Sequence, residues 1–204
     1  DKVKVVFMTD GSGGSLNIRP DKLITIREEE ARNALRVLGV HDIEFLRFKD
    51  GFLHAYNEAA LTKVGQIIRA YKPDRVYVPS GDGPPTWDNS DHFNTYKIVA
   101  QVVFKVQYNN YPQFGKDTWF VPEFYCYEVL YPLRDPTTFV DISDVIDRKK
   151  EAAAKYESQY REMPYWLELP ILRNRVYGLL TGVGEYVEAF KAIRTRLNFG
   201  SIFK

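Results

Sequence analysis

The chain has 204 residues, 45% of them hydrophobic, which is enough to bury a substantial core without disulfides or structural metals. Its 28 Lys and Arg residues nearly balance its 27 Asp and Glu residues, so the net charge of +1 offers no broad field for nucleic acid or an anionic membrane. The single cysteine excludes an internal disulfide, and no apolar stretch approaches the ~20 residues that span a bilayer. These features predict one cytoplasmic domain over residues 1–204 that acts on a compact polar molecule.

The first part of the chain alternates between short apolar strands and helices. Val3 to Met8 is a β-branched run that ends in the glycine-rich stretch TDGSGG. The next helix is predicted to begin at a capping box of Thr25 and Glu28 and to end at Gly39. Further strands are predicted at 43–46 and 75–78, separated by a helix over residues 61–71. This alternation predicts a Rossmann-like, three-layer α/β fold with a mainly parallel open sheet.

The second part of the chain is less regular in pattern. A helix is predicted from the DNSDH segment to about residue 107, and later strands are predicted at 119–121, 124–129 and 138–142. Ser143 is predicted to cap a charged helix. Residues 160–170 are predicted to be irregular, and residues 171–180 to be helical.

Three loops that follow predicted strands are rich in polar residues, at 9–14, 49–51 and 79–92. Ligands of open α/β sheets bind outside the carboxyl ends of the strands, so we expect these loops to line one cleft. The groups available there for metal binding or acid/base chemistry are Asp10, Asp50, Asp82, Asp88, Asp91 and His92. A structural interpretation is also open, because aspartate and glycine are common loop residues and an isolated histidine is more often structural than a ligand.

The ordered set of segments resembles the LmbE-like N-deacetylases, a family that includes the N-acetylglucosaminyl-phosphatidylinositol de-N-acetylases (PIG-L). The resemblance is carried by TDGSGG, REEEARNALRVLGV, FLRFKDGFL, PDRVYVPSGD and DNSDH, which occur in the family's order and spacing. It covers residues 3–107 well and the remainder loosely. It implies a zinc-dependent hydrolase that removes an acetyl group from an N-acetylated sugar or a related amide.

The resemblance also implies roles for the residues of the third loop. His92 matches a zinc ligand of the family, and Asp91 matches the carboxylate beside it. Asn89 stands where the family has a histidine that supports the tetrahedral oxyanion. An amide can donate a hydrogen bond at that position but cannot transfer a proton. The resemblance therefore implies that Asn89 and Asp91 are catalytic residues and that His92 is a metal ligand.

The remaining site residues are implied to contact the substrate. Arg27 of REEE and Asp50 of KDG match positions near the sugar hydroxyls, and Asp10 and Asp88 would line the same pocket. For Arg27, an ordinary ion pair on a helix surface is an equally good interpretation. The implied partner is a small N-acetylated sugar or glycoconjugate, with no nucleic acid and no membrane span, and a homo-oligomer is compatible with the sequence.

One departure from the family concerns the metal. The family's early HPDD motif, which supplies two zinc ligands and the general base, is not found here, since His41 and His54 are not followed by paired aspartates. We expect that motif, with the family's first strand and helix, to lie upstream of Asp1, so the zinc site within this chain is expected to be incomplete. The alternative is a non-catalytic carbohydrate-binding or interaction domain that retains the deacetylase fold.

Overall fold

The computed structural model describes residues 1–82 and 90–195, and the described residues form six strands and six α-helices. The strands are β1 (Lys4–Thr9), β2 (Asp42–Phe48), β3 (Arg75–Pro79), β4 (Glu123–Tyr127), β5 (Thr138–Asp141) and β6 (Val187–Ile193). The helices are α1 (Pro20–Val37), α2 (Glu58–Tyr71), α3 (Ser90–Lys105), α4 (Ile146–Ala154), α5 (Glu157–Glu162) and α6 (Tyr165–Thr181). Within these residues, no helix is both long enough and apolar enough to cross a membrane.

The chain divides into two compact units. The first comprises Asp1–Leu53 and Phe139–Ala189, and the second comprises His54–Thr138 and Phe190–Lys204. Two of the boundaries between them fall within β5 and β6. The prediction that residues 1–204 form a single domain stays a prediction.

In the first unit, β1 and β2 form a parallel pair. Helix α1 contributes several buried apolar side chains to the core of this unit. Apolar residues recur at helical spacing along one face of α1, and those that are buried include Leu23, Ala31 and Leu35. The pairing of the strands shifts by one residue near their ends, so that Thr9 lies opposite Phe48. This bulge sets the direction in which β2 enters the loop that follows it.

In the second unit, β3 and β4 pair in parallel, and β4 pairs antiparallel with the last residues of β6. The four-stranded sheet has the order β3-β4-β6-β5, and most of β5 and the first residues of β6 belong to the first unit. Asn57 caps α2 by accepting a hydrogen bond from the backbone N–H of Ala60, 3.0 Å away. Helices α2 and α3 contact one another, and their buried positions include Val64, Ile68 and Val102.

The Rossmann-like α/β class is confirmed, because alternating strands and helices produce the parallel pairs β1–β2 and β3–β4. The described residues form a two-stranded and a four-stranded sheet. Residues 119–121 are not a strand. There the Trp119 backbone N–H donates to the carbonyl of Val106, and its indole N–H donates to the carbonyl of Pro73.

Three local predictions were wrong for identifiable reasons. The capping box at Thr25 fails because α1 begins at Pro20, where the ring fixes φ for the first turn of a helix. Ser143 does not cap α4, because its hydroxyl accepts hydrogen bonds from the backbone N–H groups of Glu185 and Tyr186. Residues 160–170 are mostly helical, and α6 continues through Pro170 although an interior proline costs about 3 kcal/mol.

Candidate active site

The loop after β1 is organised around the carboxylate of Asp10. Its Oδ1 accepts hydrogen bonds from the backbone N–H of Ser12 at 3.0 Å and from that of Asp50 at 3.2 Å. Gly11 takes a positive φ of 66°, which a side chain would disfavour. Burial opposes the charged form of Asp10, but hydrogen bonds from Ser12 and Asp50 and the charge of Lys49 together lower the pKa of Asp10 below its ordinary value.

The carboxylate of Asp50 joins the loops that follow β1 and β2. Its Oδ1 accepts from the Thr9 hydroxyl at 3.2 Å, and its Oδ2 accepts from the Gly13 backbone N–H at 2.9 Å. A Cβ at position 13 would lie 3.0 Å from Oδ2, so only a glycine allows this approach without displacement. Lys49 adds a second link, since its ammonium donates to the Ser12 hydroxyl at 2.9 Å. Asp50 therefore stabilises the glycine-rich loop through both carboxylate oxygens.

Arg27 extends from α1 along the same loop. Its side-chain stem lies in van der Waals distance of the Cβ position of Gly11, and its guanidinium lies 5.3 Å from the ring centroid of Tyr156. Its Nη1 is buried and has no hydrogen-bond partner among the residues that the structure describes. A buried donor without a partner costs about 1–3 kcal/mol, so this nitrogen is a candidate donor to a bound ligand.

Helix α5 supports the glycine-rich loop from the other side. The carboxylate of Glu162 accepts from the Ser15 hydroxyl at 2.6 Å and from the Leu16 backbone N–H at 2.8 Å. The hydrogen bond from Ser15 is the main reason that the pKa of Glu162 is lowered. The side-chain amide of Gln159 donates to the carbonyl of Gly14. Sequence reasoning missed this support because residues 160–170 were predicted to be irregular and the hydrogen bonds join positions far apart in the chain.

In the second unit, a polar turn follows β3. The Ser80 hydroxyl accepts from the backbone N–H of Asp82 at 3.0 Å, and the Asp82 carboxylate forms a 3.0 Å ion pair with Lys191 on β6. Gly81 fits against the ring of Tyr96, where a Cβ would lie only 2.6 Å from a ring carbon. No sequence signal pointed to Lys191, because it lies more than 100 positions from Asp82 in the chain.

Two residues of the third predicted loop, Asp91 and His92, lie in the first turn of α3. Asp91 is only 3% exposed, and His92 is half-buried. An aspartate in a first helical turn is stabilised by the helix dipole, so the structural interpretation of Asp91 also stays open. Asp88 and Asn89 lie outside the described residues.

The structure thus brings the predicted site residues together in two groups. Asp10 and Asp50 share hydrogen bonds in the first unit, where Arg27 contacts the same loop. Asp82, Asp91 and His92 belong to the β3 and α3 segments of the second unit. A single cleft lined by both groups stays a prediction.

A model of the family described as GlcNAc-PI de-N-acetylase (PIG-L) matches residues 1–103, half of the chain. The chain belongs to the PIG-L family. The matched range contains every residue that the sequence assigned to the site, from Asp10 to His92. The family resemblance inferred from the loop motifs is therefore confirmed.

The relatives of this PIG-L family member include enzymes that act on acetylated sugars. The chain is 28% identical over 195 residues to a diacetylchitobiose deacetylase from Thermococcus kodakarensis, covering 94% of this chain and 72% of that protein. The structure of the N,N'-diacetylchitobiose deacetylase from Pyrococcus horikoshii superposes with a TM-score of 0.80 at 24% identity, covering 98% of this chain and 77% of that one. A conserved protein from Thermus thermophilus gives 0.77 at 25% identity, covering 96% and 83%. These likenesses support the LmbE-like fold.

The family resemblance implies a bound zinc, so we asked whether the structure groups side chains that could bind it. Zinc sites use at least three protein ligands. Within residues 1–82 and 90–195, no three or more His, Cys, Asp or Glu side chains are grouped so that they could hold a metal ion. The carboxylates of Asp10 and Asp50 are instead occupied with hydrogen bonds from the loops. The described residues therefore do not fit a complete zinc site.

Proposed function

We propose that the protein is a hydrolase that removes the acetyl group from an N-acetylated amino sugar. The observation that carries this proposal is the PIG-L family match over residues 1–103, the part of the chain that holds the predicted site. The deacetylase from Thermococcus kodakarensis, which is named for a disaccharide of acetylated amino sugars, suggests the substrate class. In the reaction, water adds to the amide carbonyl carbon, the C–N bond breaks, and the nitrogen leaves as an amine while acetate is released.

The first unit offers groups suited to holding the sugar. Arg27 has a buried N–H with no partner among the described residues, and a sugar hydroxyl or the acetyl carbonyl would satisfy it. Asp50 has both carboxylate oxygens in use, but each can accept a further hydrogen bond. We assign Arg27 and Asp50 to substrate binding, and Asp10 to holding the loop on which they depend. Asp88 is assigned to the same pocket on the resemblance alone.

The second unit offers the groups assigned to the chemical step. Asp91 is a buried carboxylate next to His92, and a carboxylate in such a position can orient a neighbouring ligand or accept a proton. Asn89 is assigned to the oxyanion, where its amide would donate a hydrogen bond. We propose zinc as the metal, with His92 as one ligand. The other ligands would have to come from outside the described residues, so no catalytic step is assigned to the metal.

A panel assay tests this proposal. Full-length protein is incubated with N-acetylated amino sugars, with and without a chelator, and released acetate and free amine are both measured. Release of both in equal amounts, lost on chelation and restored by zinc, is the expected result. The variant His92→Ala should lose both zinc and turnover, whereas His41→Ala, which lies outside the predicted loops, should lose neither. Turnover that survives chelation and the loss of His92 would contradict the assignment of metal and ligand.

A non-catalytic sugar-binding domain is the second candidate. It is favoured by Asn89, because an amide cannot supply the proton transfer that a histidine supplies at this position. Saturable binding of the same sugars, without release of acetate by the full-length protein, would support this second candidate over the first.

A further inference from the structure

Glu30 on α1 is a buried carboxylate outside the predicted site. Its exposed fraction is only 8%, although glutamate side chains are almost never buried unless their oxygens are paired. Its Oε1 accepts a hydrogen bond from the backbone N–H of Ser158 at 2.6 Å, and its Oε2 accepts from the Ser158 hydroxyl at 2.7 Å. Ser158 is itself only 6% exposed. Glu30 thus holds α5 from a position 128 residues away in the chain.

Glu30 and Arg27 lie on the same side of α1, because residues three positions apart in a helix are neighbours. Both side chains contact one segment, α5 with the residue before it, hereafter the α5 arm (residues 156–162). The Arg27 guanidinium lies 5.3 Å from the ring centroid of Tyr156, at the start of the arm. Glu30 fixes Ser158, two residues further along. The position of the ring that packs against Arg27 therefore depends on Glu30.

The rest of the α5 arm holds the glycine-rich loop. The side-chain amide of Gln159 donates to the carbonyl of Gly14. The carboxylate of Glu162, at the end of the arm, accepts from the backbone N–H of Leu16 at 2.8 Å. The arm is thus anchored to α1 by the buried carboxylate of Glu30 and contacts both the loop and the arginine beside it.

We propose that Glu30 is a positioning residue for substrate binding. It holds the α5 arm in place, and the arm holds Arg27 and the glycine-rich loop in the conformation that binds the acetylated sugar. Ordering a long side chain during binding reduces affinity, and a side chain that is fixed beforehand avoids this loss. Loosening the arm would release Arg27 and the loop together. This inference rests on the proposed function, and it adds a residue that acts through its neighbours rather than by contact with the substrate.

Two substitutions of Glu30 separate its hydrogen bonds from its mere presence. Glu30→Ala removes both acceptors and frees the arm at Ser158. Glu30→Gln keeps one oxygen for the backbone N–H, and its amide can donate to the serine hydroxyl, so this variant should preserve the arm. Ser158→Ala removes only the hydroxyl contact and gives a smaller effect of the same kind, which keeps the test open if Glu30→Ala does not fold. Glu29→Ala is the matched control, because Glu29 is an exposed glutamate of the same helix.

Amide hydrogen exchange, measured by mass spectrometry, tests the arm without any substrate. In Glu30→Ala, peptides covering residues 11–17 and 156–162 should exchange faster than in wild type by about tenfold or more, because hydrogen bonds to a charged group are lost. Peptides of α2 in the second unit should exchange at the wild-type rate, which distinguishes local release from a general loss of stability. Glu30→Gln and Glu29→Ala should match wild type throughout. Unchanged exchange of residues 11–17, or an equal increase in every peptide, would overturn the proposal.

Steady-state kinetics of the full-length protein, with zinc supplied and N,N'-diacetylchitobiose as substrate, give the second readout. Glu30→Ala should raise KM by about tenfold and change kcat by less than about twofold, because it loosens groups assigned to binding rather than to the chemical step. Glu30→Gln should restore the wild-type KM. Faster loop exchange with an unchanged KM would overturn the proposal and leave the proposed function intact.

A wild type without turnover would count against the proposed hydrolase and not against the role of Glu30. The dissociation constant of the same sugar, measured by calorimetry, then takes the place of KM. Weaker sugar binding in Glu30→Ala together with faster loop exchange would support the positioning role. Equal affinity in wild type and Glu30→Ala would overturn it.

Discussion

Arg27, on α1, differs from the polar residues that hold the neighbouring glycine-rich loop, because one of its nitrogens is buried without a partner in the described structure. Asp10, Asp50 and Glu162 all accept hydrogen bonds within the loops that they join. Substituting a residue that holds the loop together should lower the stability of the protein, whereas substituting a residue with an unsatisfied donor should weaken ligand binding. Measuring both quantities for each variant therefore separates the roles of neighbouring residues.

For Arg27→Met, which keeps much of the aliphatic stem, we expect little change in stability. The loss is limited to the contact with Tyr156, worth about 0.5–1 kcal/mol. The kcat/KM for the acetylated sugar should fall by about 10-fold or more, since a hydrogen bond from a charged donor contributes about 1.5–3 kcal/mol. Arg32→Met is the control, because Arg32 makes a similar contact with Phe45 and has no assigned role in binding. Equal losses of activity in both variants would contradict the assignment.

Asp10→Ala should destabilise the protein, because it leaves two backbone N–H groups without their acceptor. We expect a loss of about 1–3 kcal/mol at pH 7, measured by urea denaturation. The folded-state pKa of Asp10 is lowered, so its stabilising effect is present above the unfolded-state pKa and is lost as the pH falls through the folded-state value. The difference between wild type and variant should therefore shrink below about pH 4, near the ordinary pKa of aspartate. A difference that stays constant down to pH 2 would show that charge on Asp10 contributes nothing.

Cys126 should be unreactive in the native protein. Burial, together with the nearby charge of Asp82, raises the pKa of this thiol to about 11, although Lys191 opposes the shift. At pH 8 almost no thiolate is present, and the thiolate is the nucleophile. A thiol reagent should modify the urea-unfolded chain rapidly and the native chain at least 100-fold more slowly. Similar rates in both states would contradict the buried position of this thiol.

At the scale of elements, the bulge at the end of β2 determines where Lys49 and Asp50 point. Arg47 takes a positive φ of 55°, and its guanidinium is held by two hydrogen bonds from its Nε and Nη2 to the carboxylate of Glu28 on α1. Because side chains alternate along a strand, an extra residue here reverses the face on which the following residues lie. The bulge is thus required for Asp50 to meet Gly13.

Two substitutions of Arg47 should differ in their effects on stability. Arg47→Gly should be close to neutral, because relief of about 1 kcal/mol of backbone strain offsets the loss of an exposed ion pair. Arg47→Val should cost about 1–3 kcal/mol and raise KM, since a β-branched residue resists positive φ and would shift Asp50. Urea denaturation and steady-state kinetics on both variants test this. Equal stabilities would show that the bulge does not depend on the conformation of residue 47.

The elements that followed from local sequence patterns were predicted correctly. β1, β2, β3 and α2 combine a clear apolar period with turn residues at their ends, and their observed bounds lie close to the predicted ones. Helices α5 and α6 were missed in part because Pro164 and Pro170 interrupt the pattern, and because α6 has no single apolar face. Packing within the first unit stabilises these helices in spite of their local sequence.

The site was predictable to the extent that its residues directly follow strands. Asp10 and Asp50 lie together because the carboxyl ends of parallel strands meet at one edge. The supports from Gln159, Glu162 and Lys191 were not predictable, because they depend on contacts between residues more than 100 positions apart. The resemblance to the family indicated Arg27, and the structure added that one of its nitrogens is buried without a hydrogen-bond partner among the described residues.

At the scale of the whole molecule, the chain combines two units that each carry part of the predicted site. The glycine-rich loop with Arg27 belongs to the first, and the turn after β3 with His92 belongs to the second. Family membership rests on residues 1–103, which include both parts. We propose that the full-length protein removes acetyl groups from amino sugars.

The most direct test is incubation of the full-length protein with N,N'-diacetylchitobiose, followed by mass spectrometry of the sugar and an acetate assay. We predict the loss of acetyl groups from the sugar, one acetate for each amine formed, with the glycosidic bond left intact. Arg27→Met should slow the same reaction. An unchanged substrate, tested across a panel of N-acetylated sugars with zinc supplied, would contradict the claim.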